Sequence, residues 1–124
     1  MVKLAATTYE GLEAFLANRE QRTIGHNTTA RRSGPAIIVR YHATDILTLT
    51  PDGSVVVNSG GYHTPTTKDR INQFLPFGIG VIQEDWVWYF VRWGGDEGRT
   101  LTPYEDHATI GPDGSITYRD GGEM

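Results

Sequence analysis

Two nearly identical turn sequences restrict what this chain can fold into. Thr50-Pro51-Asp52-Gly53 joins the runs DILTLT and SVVVN, and Gly111-Pro112-Asp113-Gly114 joins HATI to SITY. In each turn the proline presets a backbone φ of about −65°, and the glycine supplies the positive φ of a following bulge. Each turn therefore predicts an antiparallel β-hairpin. Because the turns match and their flanks differ, we interpret them as independent hairpins and not as a duplication.

Other β-branched and aromatic runs predict further strands. AIIVRYH, residues 36–42, alternates so that Ile37, Val39 and Tyr41 share one face. GIGVIQ and DWVWYFVRW predict a second antiparallel pair, joined by a tight turn at Glu84-Asp85. The polar segment QRTIGHNTTARRSGP, residues 21–35, is expected to form a loop or a short edge strand.

Two helices complete the predicted elements. Thr7 and Glu10 have the spacing of a capping box, and apolar residues follow at helical period, which predicts an amphipathic helix over residues 8–19. The same capping spacing occurs at 66–69, before a shorter helix predicted over residues 67–74. We therefore predict an α+β fold: a curved, mainly antiparallel β-sheet with an N-terminal amphipathic helix and one short central helix.

Length and composition bound the domain organisation and the compartment. A chain of 124 residues is long enough for one modest core, so we expect a single domain, 1–124, whose sheet core spans 36–119. The absence of cysteine excludes disulfides and thiolate chemistry. The N-terminus has no signal-peptide pattern, and no apolar run approaches the roughly 20 residues of a membrane span, so we expect a cytoplasmic protein.

The charge distribution is uneven. Net charge is −4, yet residues 1–40 carry six Lys or Arg against three Glu, while residues 96–124 carry two Arg against seven acids. The two ends are predicted either to attract each other, within one subunit or between subunits, or simply to carry solvated charge. Nucleic acid is a disfavoured partner, because the net charge is negative and the chain has no continuous basic stripe.

The sequence contains no pattern that demands catalysis. The four histidines are scattered, without the spacing of a zinc site, and neither a nucleophile elbow nor a glycine-rich Walker loop occurs. We expect no catalytic residue, no metal and no cofactor, and hence not an enzyme.

Binding has better support, from the aromatic strand DWVWYFVRW. Period-two alternation places Trp86, Trp88, Phe90 and Arg92 on one face, and Val87, Tyr89, Val91 and Trp93 on the other. One face packs on the core. The other needs a cover, because exposed stripes of this kind are rare in monomers. A helix or a second subunit is the favoured cover, and a surface for stacking bases is the alternative.

The stretch NSGGYHTPTTKDRIN, residues 58–72, supplies a possible second half of a binding site. Its predicted helix start exposes backbone N–H groups that favour anions. Lys68 and Arg70 fall in the predicted first turn, where cations are unfavourable unless an anion binds. The alternative is that both cations point to water and Asp69 alone satisfies the cap. Arginine forks and an asparagine upstream add donors suited to phosphate and to an adenine edge.

Residues 24–74 resemble a family of small proteins encoded by phages and prophages. The shared motifs are Asn27-Thr28, the Arg-x-His-x-Thr-Asp of residues 40–45, the Asn-Ser-Gly-Gly-aromatic of 58–62 and the TTKDRIN of 66–72. The chain also resembles the Thoeris anti-defence sponges of phages. That resemblance implies an oligomer that sequesters cyclic ADP-ribose signals from bacterial TIR enzymes without cleaving them, and that in some members also takes up cyclic oligonucleotides.

Two functional hypotheses follow. The first is a homo-oligomeric sponge for a phosphate-bearing cyclic nucleotide, whose subunits bury the N-terminal helix and the spare aromatic face against each other. The second is a protein-binding inhibitor of a host defence protein, with the aromatic strand as the contact surface and Lys68 and Arg70 at its rim. The chemistry of the side chains gives these ligand-binding candidates: Asn27, Arg31, Arg40, His42, Thr67, Lys68, Arg70, Trp88, Phe90 and Arg92.

Overall fold

A computed structural model describes residues 3–76, 78–94, 96 and 98–119 of the chain. The described residues form two helices and ten strands. In chain order these are α1 (Tyr9–Leu16), β1 (Gln21–Gly25), β2 (Thr28–Ser33), β3 (Ala36–Tyr41), β4 (Thr44–Leu49), β5 (Val55–Val57), α2 (Pro65–Asn72), β6 (Ile79–Glu84), β7 (Val87–Trp93), β8 (Arg99–Pro103), β9 (Thr109–Ile110) and β10 (Ile116–Thr117).

The strands form two antiparallel sheets. The larger has the order β1-β2-β3-β4-β5-β9-β10, and the smaller has the order β6-β7-β8. Both PDG hairpins are present, as the register pairs Leu49 with Val55 in one and Thr109 with Thr117 in the other. The turn glycines Gly53 and Gly114 have φ of 92° and 85°, as the turn chemistry requires. The predicted α+β fold with a curved, mainly antiparallel sheet is confirmed.

The prediction for residues 21–35 was right for β1, a short strand at the edge of the large sheet, and wrong for β2. This segment is a hairpin of β1 and β2, and β2 is an inner strand that pairs with β1 on one side and β3 on the other. Its polar sequence is compatible with an inner position because it alternates: Thr28 and Ala30 are buried, and Arg31 lies on the outer face. The feature that identifies β2 is therefore the alternation of buried and outward-facing residues, and not a high content of apolar residues.

Both helices begin earlier or end sooner than predicted. Thr8 caps α1, since its hydroxyl accepts a hydrogen bond from the Gly11 N–H at 3.0 Å, and the helix ends at Leu16 instead of residue 19. Thr64 caps α2, accepting from the Thr67 N–H at 3.2 Å, with Pro65 in the first helical position. The predicted caps at Thr7 and Thr66 are therefore wrong, and α2 is displaced by two residues toward the N-terminus.

The core lies between the two sheets and α1. Leu12 and Leu16 of α1 are fully buried, so the apolar face of this helix packs on its own chain, and burial of α1 between subunits stays a prediction. Phe90 and Trp88 of β7 join the same hydrophobic cluster. Within the described ranges, no helix has the length and apolar character needed to cross a bilayer.

The β6–β7 turn lies at Asp85-Trp86, one residue later than predicted. Both residues have positive φ, 51° and 70°, so Trp86 belongs to the turn and not to the face of Trp88. The outer face of the small sheet carries Val87 and Trp93, both exposed. An ion pair joins Arg99 of β8 to Glu84 of β6 at 2.6 Å. The sequence predicted that the face of Val87, Tyr89, Val91 and Trp93 would be covered. The described residues leave Val87 and Trp93 exposed, so they cover only part of that face.

Candidate ligand-binding site

A cleft of about 500 Å³ opens between the β3–β4 turn and the segment that leads into α2. Aromatic rings and hydroxyl groups dominate its lining. The lining residues are Tyr41, His42, Ala43, Thr44, Ile46, Ser59, Tyr62, Thr64, Thr66 and Thr67. The first turn of α2 forms one end of the cleft, and this turn contains no acidic residue. The site therefore combines flat apolar surfaces with donors suited to a polar ligand.

The NSGG motif holds the loop beside this cleft in place. The Asn58 N–H donates to the Ile46 carbonyl at 2.9 Å, and the Asn58 side-chain oxygen accepts from the Gly60 N–H at 3.1 Å. Gly60 has a φ of 64°, and a Cβ there would lie 2.7 Å from Thr44 Cγ2. Only glycine fits this close approach of the loop to β4.

The half-buried carboxylate of Asp106 anchors the loop. Asp106 Oδ1 accepts from the Ser59 N–H and from the Tyr104 hydroxyl, each at 2.8 Å, and the Ser59 hydroxyl also donates to this carboxylate. Burial alone would raise the pKa of Asp106, but the hydrogen bonds from Ser59 and Tyr104 leave it below its usual value. Burial, together with the neighbouring carboxylate, raises the pKa of Tyr104. At neutral pH Asp106 is thus an acceptor and Tyr104 a donor.

Three rings meet above this carboxylate. Trp88 and Tyr104 stand at 78° to each other with ring centroids 5.1 Å apart, and we call these two walls the aromatic corner. The imidazole of His63 fills it, stacked on Trp88 at 4.4 Å with an interplanar angle of 13°. Trp88 is 2% exposed beneath this imidazole, whereas His63 itself is exposed.

Two of the predicted phosphate ligands are bound to a carboxylate instead. Arg31 donates to both oxygens of Asp45, at 2.8 Å each, and Arg40 Nε donates to Oδ1 at 3.0 Å. These hydrogen bonds, first that from Arg31, lower the pKa of Asp45 to about 2. The three side chains form a surface cluster with one net positive charge, on the outer face of the large sheet.

Arg70 is buried, contrary to its predicted position at an exposed helix start. It is 2% exposed, donates from Nε to the Thr28 hydroxyl at 3.1 Å and pairs with Asp69. Because α2 begins at Pro65, Arg70 lies in the last turn, where a cation is favourable. The inference was therefore wrong for Arg70, whereas Lys68, the fourth residue of α2, remains in the first turn. The guanidinium lies 5.3 Å from the ring centroid of Tyr41 and supports that wall of the cleft.

Lys68 lies apart from the cleft. It is half-buried and lines a shallow depression with Gln83, Asp85 and Trp86. Its side-chain ammonium forms no hydrogen bond or ion pair with any residue that the structure describes.

The remaining candidates are distributed over the molecule. His42 and Thr67 line the cleft, and Asn27 is adjacent because its carbonyl accepts from the His42 N–H at 2.9 Å. Arg92 lies elsewhere and donates to the Gly114 carbonyl. Trp88 and Phe90 are core residues, so their rings are not on the free surface.

Several cleft residues were missed as candidates. Tyr41, Thr44, Ser59, Tyr62 and Thr64 were not named, although most belong to the motifs that carried the family resemblance. Their grouping depends on two segments separated by the β4–β5 hairpin. These residues could have been predicted from the contact between the NSGG loop and the turn that contains Thr44.

Comparison with known proteins gives one result. A family model described as Kyanoviridae Gp96 protein matches residues 5–111. No curated protein and no solved structure matches the chain. The matched range includes every residue that lines the cleft, together with Trp88, Tyr104 and Asp106.

Proposed function

The chain belongs to the Kyanoviridae Gp96 family of phage proteins, and from that premise we propose that it is an anti-defence protein that binds and sequesters a cyclic nucleotide signal without cleaving it. The proposed ligand is of the cyclic ADP-ribose type or a cyclic oligonucleotide, met in the host cytoplasm during infection. The cleft between the β3–β4 turn and α2 is the observation that carries this proposal.

The dimensions and lining of the cleft suit a nucleotide. Ligand pockets typically measure roughly 300–1,000 Å³, and this cleft is about 500 Å³. Tyr62 is 65% exposed at its rim, so its ring is available for stacking on a base. Hydroxyl groups of Thr44, Thr64 and Thr66 are suited to hydrogen bonds with ribose and phosphate oxygens.

The phosphate is expected at the α2 end of the cleft. Thr66 and Thr67 lie in the first turn of α2, where the helix dipole favours negative charge; the Thr67 N–H is bound by the Thr64 cap, so the Thr66 N–H is the backbone donor that we assign to the phosphate. This assignment replaces the predicted role of Lys68 and Arg70, which lie on other sides of the helix.

Binding without cleavage is supported by the bonding state of the buried polar groups. The Ser59 hydroxyl donates directly to Asp106, and no histidine lies between them to act as a base for the serine. A carboxylate whose pKa lies below its usual value is a weak base near neutral pH. Ser59 and Asp106 are therefore assigned to anchoring the loop.

Isothermal titration calorimetry with cyclic ADP-ribose isomers and cyclic oligonucleotides tests the proposal. We expect one of these ligands to bind, to be recovered intact after denaturation of the complex, and to lose at least tenfold in affinity with Tyr62→Ala. Trp93→Ala, which removes an exposed ring outside the cleft, is the matched control and should leave affinity unchanged. Failure of every ligand to bind would sink the proposal.

A second candidate function rests on the outer face of the small sheet. Trp86 is 90% exposed and Trp93 is 53% exposed, and tryptophan is prominent among residues that dominate protein interfaces. A protein-binding inhibitor of a host defence protein would use this face, with Lys68 beside Trp86 at its rim. Pull-down from host lysate with wild type and with Trp86→Ser/Trp93→Ser tests it. A stoichiometric partner that only the wild type recovers, with no melting-temperature response to nucleotides, is the result expected for this candidate.

A further inference from the structure

We propose that the aromatic corner is a binding position for a nucleobase that presents N–H donors, and that the His63 imidazole occupies it until a ligand displaces this side chain. The inference rests on the proposed nucleotide-binding function and adds a second ring position beside the cleft. Its basis is the stacked geometry of His63, the acceptor capacity of Asp106 and the indole N–H of Trp88.

His63 sits in the corner as a planar ligand would. Its ring is nearly parallel to Trp88, at 4.4 Å and 13°, and perpendicular to Tyr104, at 5.9 Å and 89°. Flat rings of a base stack on aromatic side chains in the same parallel arrangement. An imidazole covers less of an indole than a purine does, so a purine in this position gains stacking area.

Asp106 is bound to the Tyr104 wall of the aromatic corner and retains acceptor capacity for the edge of a base. Oδ1 accepts from the Ser59 N–H, the Ser59 hydroxyl and the Tyr104 hydroxyl, whereas Oδ2 accepts only from Ser59 Oγ at 3.1 Å among the described residues. A carboxylate oxygen takes about two hydrogen bonds, so Oδ2 retains capacity. Carboxylates accept from the amino groups of bases. The corner thus favours a base with amino or imino N–H groups.

The indole N–H of Trp88 is a second observation that points to a ligand. Nε1 is buried, and none of the residues that the structure describes gives it an acceptor. A buried donor without an acceptor is costly, and native structures rarely keep one without a reason. This N–H lies in the plane of the indole, so its acceptor must be a ligand atom at the edge of the ring and not an atom of the base stacked on its face.

The segment that carries His63 is suited to displacement. Between its fixed ends it makes short-range backbone hydrogen bonds, from Tyr62 N–H to the Ser59 carbonyl and from Thr64 N–H to the Tyr62 carbonyl. Gly60 and Gly61 precede it with positive φ. Ser59 and Thr64, its ends, are held by Asp106 and by α2. Because Ser59, Tyr62 and Thr64 also line the cleft, outward movement of His63 joins the corner to the cleft.

Fluorescence of Trp88 tests the inference directly. Trp86→Phe/Trp93→Phe removes two exposed tryptophans and leaves Trp88 as the reporter. The probes are GMP, AMP and ribose 5-phosphate. Both nucleotides should change the emission saturably, and the sugar phosphate, which has no base, should not. In this background His63→Ala should tighten nucleotide binding about three- to tenfold, because the competing imidazole is gone.

Three further variants complete the experiment. His63→Phe, which fills the corner with a larger apolar ring, should weaken binding, and His26→Ala, at an exposed histidine of the β1–β2 turn, should change nothing. Asp106→Asn should weaken binding while a melting curve confirms that the variant is folded. Unchanged or weaker binding by His63→Ala overturns the inference. If a cyclic ligand binds in calorimetry and loses at least tenfold in affinity with Tyr62→Ala, the proposed function stands. Absence of binding by either nucleotide and by every cyclic ligand overturns both.

Discussion

Gly60 is the residue at which backbone conformation and packing most tightly restrict the cleft. Its φ is 64°, and an added Cβ would meet both Cγ2 and Oγ1 of Thr44, at 2.7 and 3.0 Å. Because threonine is β-branched, rotation about χ1 exchanges one close contact for another. The neighbouring Gly61 has a φ of 86° but no atom within 4 Å of the Cβ position. A substitution at Gly61 therefore measures backbone strain alone, whereas a substitution at Gly60 measures backbone strain together with the steric conflict with Thr44.

Gly60→Ala is expected to destabilise the protein by about 2–4 kcal/mol, and Gly61→Ala by about 1 kcal/mol. Urea unfolding measures both. Thr44→Ala added to Gly60→Ala should recover part of the loss, because it removes the two atoms that a Cβ would meet. Equal losses for both glycine variants would show that φ alone governs the loop.

Asp45 makes a contribution to the free energy of unfolding that depends on pH. Its pKa is lowered to about 2 by Arg31 and Arg40, so the carboxylate stabilises the fold above its ordinary pKa of 3.8, and that contribution is lost as pH falls from about 4 to 2. The side chain is partly exposed, so we expect about 1 kcal/mol after allowance for solvent screening. Asp45→Asn should remove this term at pH 6 and leave stability near pH 2 unchanged. Unfolding curves at both pH values check it, with the exposed Glu20→Gln as control.

At the level of elements, Asn72 joins α2 to β6. Its amide nitrogen donates to the Val81 carbonyl at 2.9 Å, and its side-chain oxygen accepts from the Val81 N–H at 2.6 Å. These two bonds satisfy backbone groups on the side of β6 away from β7, where an edge strand is otherwise open to pairing with another chain. The last residue of TTKDRIN thus has a structural role.

Asn72→Ala is expected to cost about 1–3 kcal/mol, since it leaves a partly buried N–H and C=O of Val81 without partners. Asn72→Asp should also destabilise, because a carboxylate accepts from the N–H but repels the carbonyl. Thermal unfolding provides the measurement, with Asn18→Ala, at an exposed asparagine, as control. A loss below about 0.5 kcal/mol for both Asn72 variants would contradict this role.

Sequence reasoning succeeded for elements whose chemistry is local. The PDG turns and the alternation of Ile37 and Val39 depend on neighbours within a few residues, and both hairpins were predicted correctly. Helix starts failed because several threonines compete as caps: Thr8 displaced Thr7, and Thr64 displaced Thr66. That shift of two residues moved Arg70 from the first turn to the last, so that of the two predicted cations only Lys68 remains in the first turn.

At the scale of the whole molecule, the site depends on contacts between distant segments. Ser59 and Asp106 are 47 positions apart in sequence, and the cleft joins the β3–β4 turn to α2 across a complete hairpin. No local sequence pattern brings these segments together. The sequence therefore indicated the NSGG motif but not the residues that contact it. The predicted attraction between the chain ends is not seen within 3–40 and 98–119: the described ion pairs of Arg31, Arg32 and Arg40 are with Asp45 and Glu13.

Self-association through the outer face of the small sheet is the prediction that belongs to this scale. The Leu12 and Leu16 face of α1 packs within its own chain, whereas the side chains of Trp86, Val87 and Trp93 are exposed and are the apolar groups through which we expect copies to associate. Val87 and Trp93 lie at opposite ends of β7, roughly 20 Å apart at about 3.3 Å per residue, so an interface that buries both must extend along the whole strand. We expect light scattering to give more than one copy per particle at about 100 μM, and Trp86→Ser/Trp93→Ser to give the monomer. Tyr62→Ser, which removes an exposed ring of the cleft, should leave assembly unchanged.

A wild-type protein that is monomeric at this concentration would reject self-association. The face would then be free for a host protein. Nucleotide binding by the tryptophan double variant would show that the cleft and this face act independently.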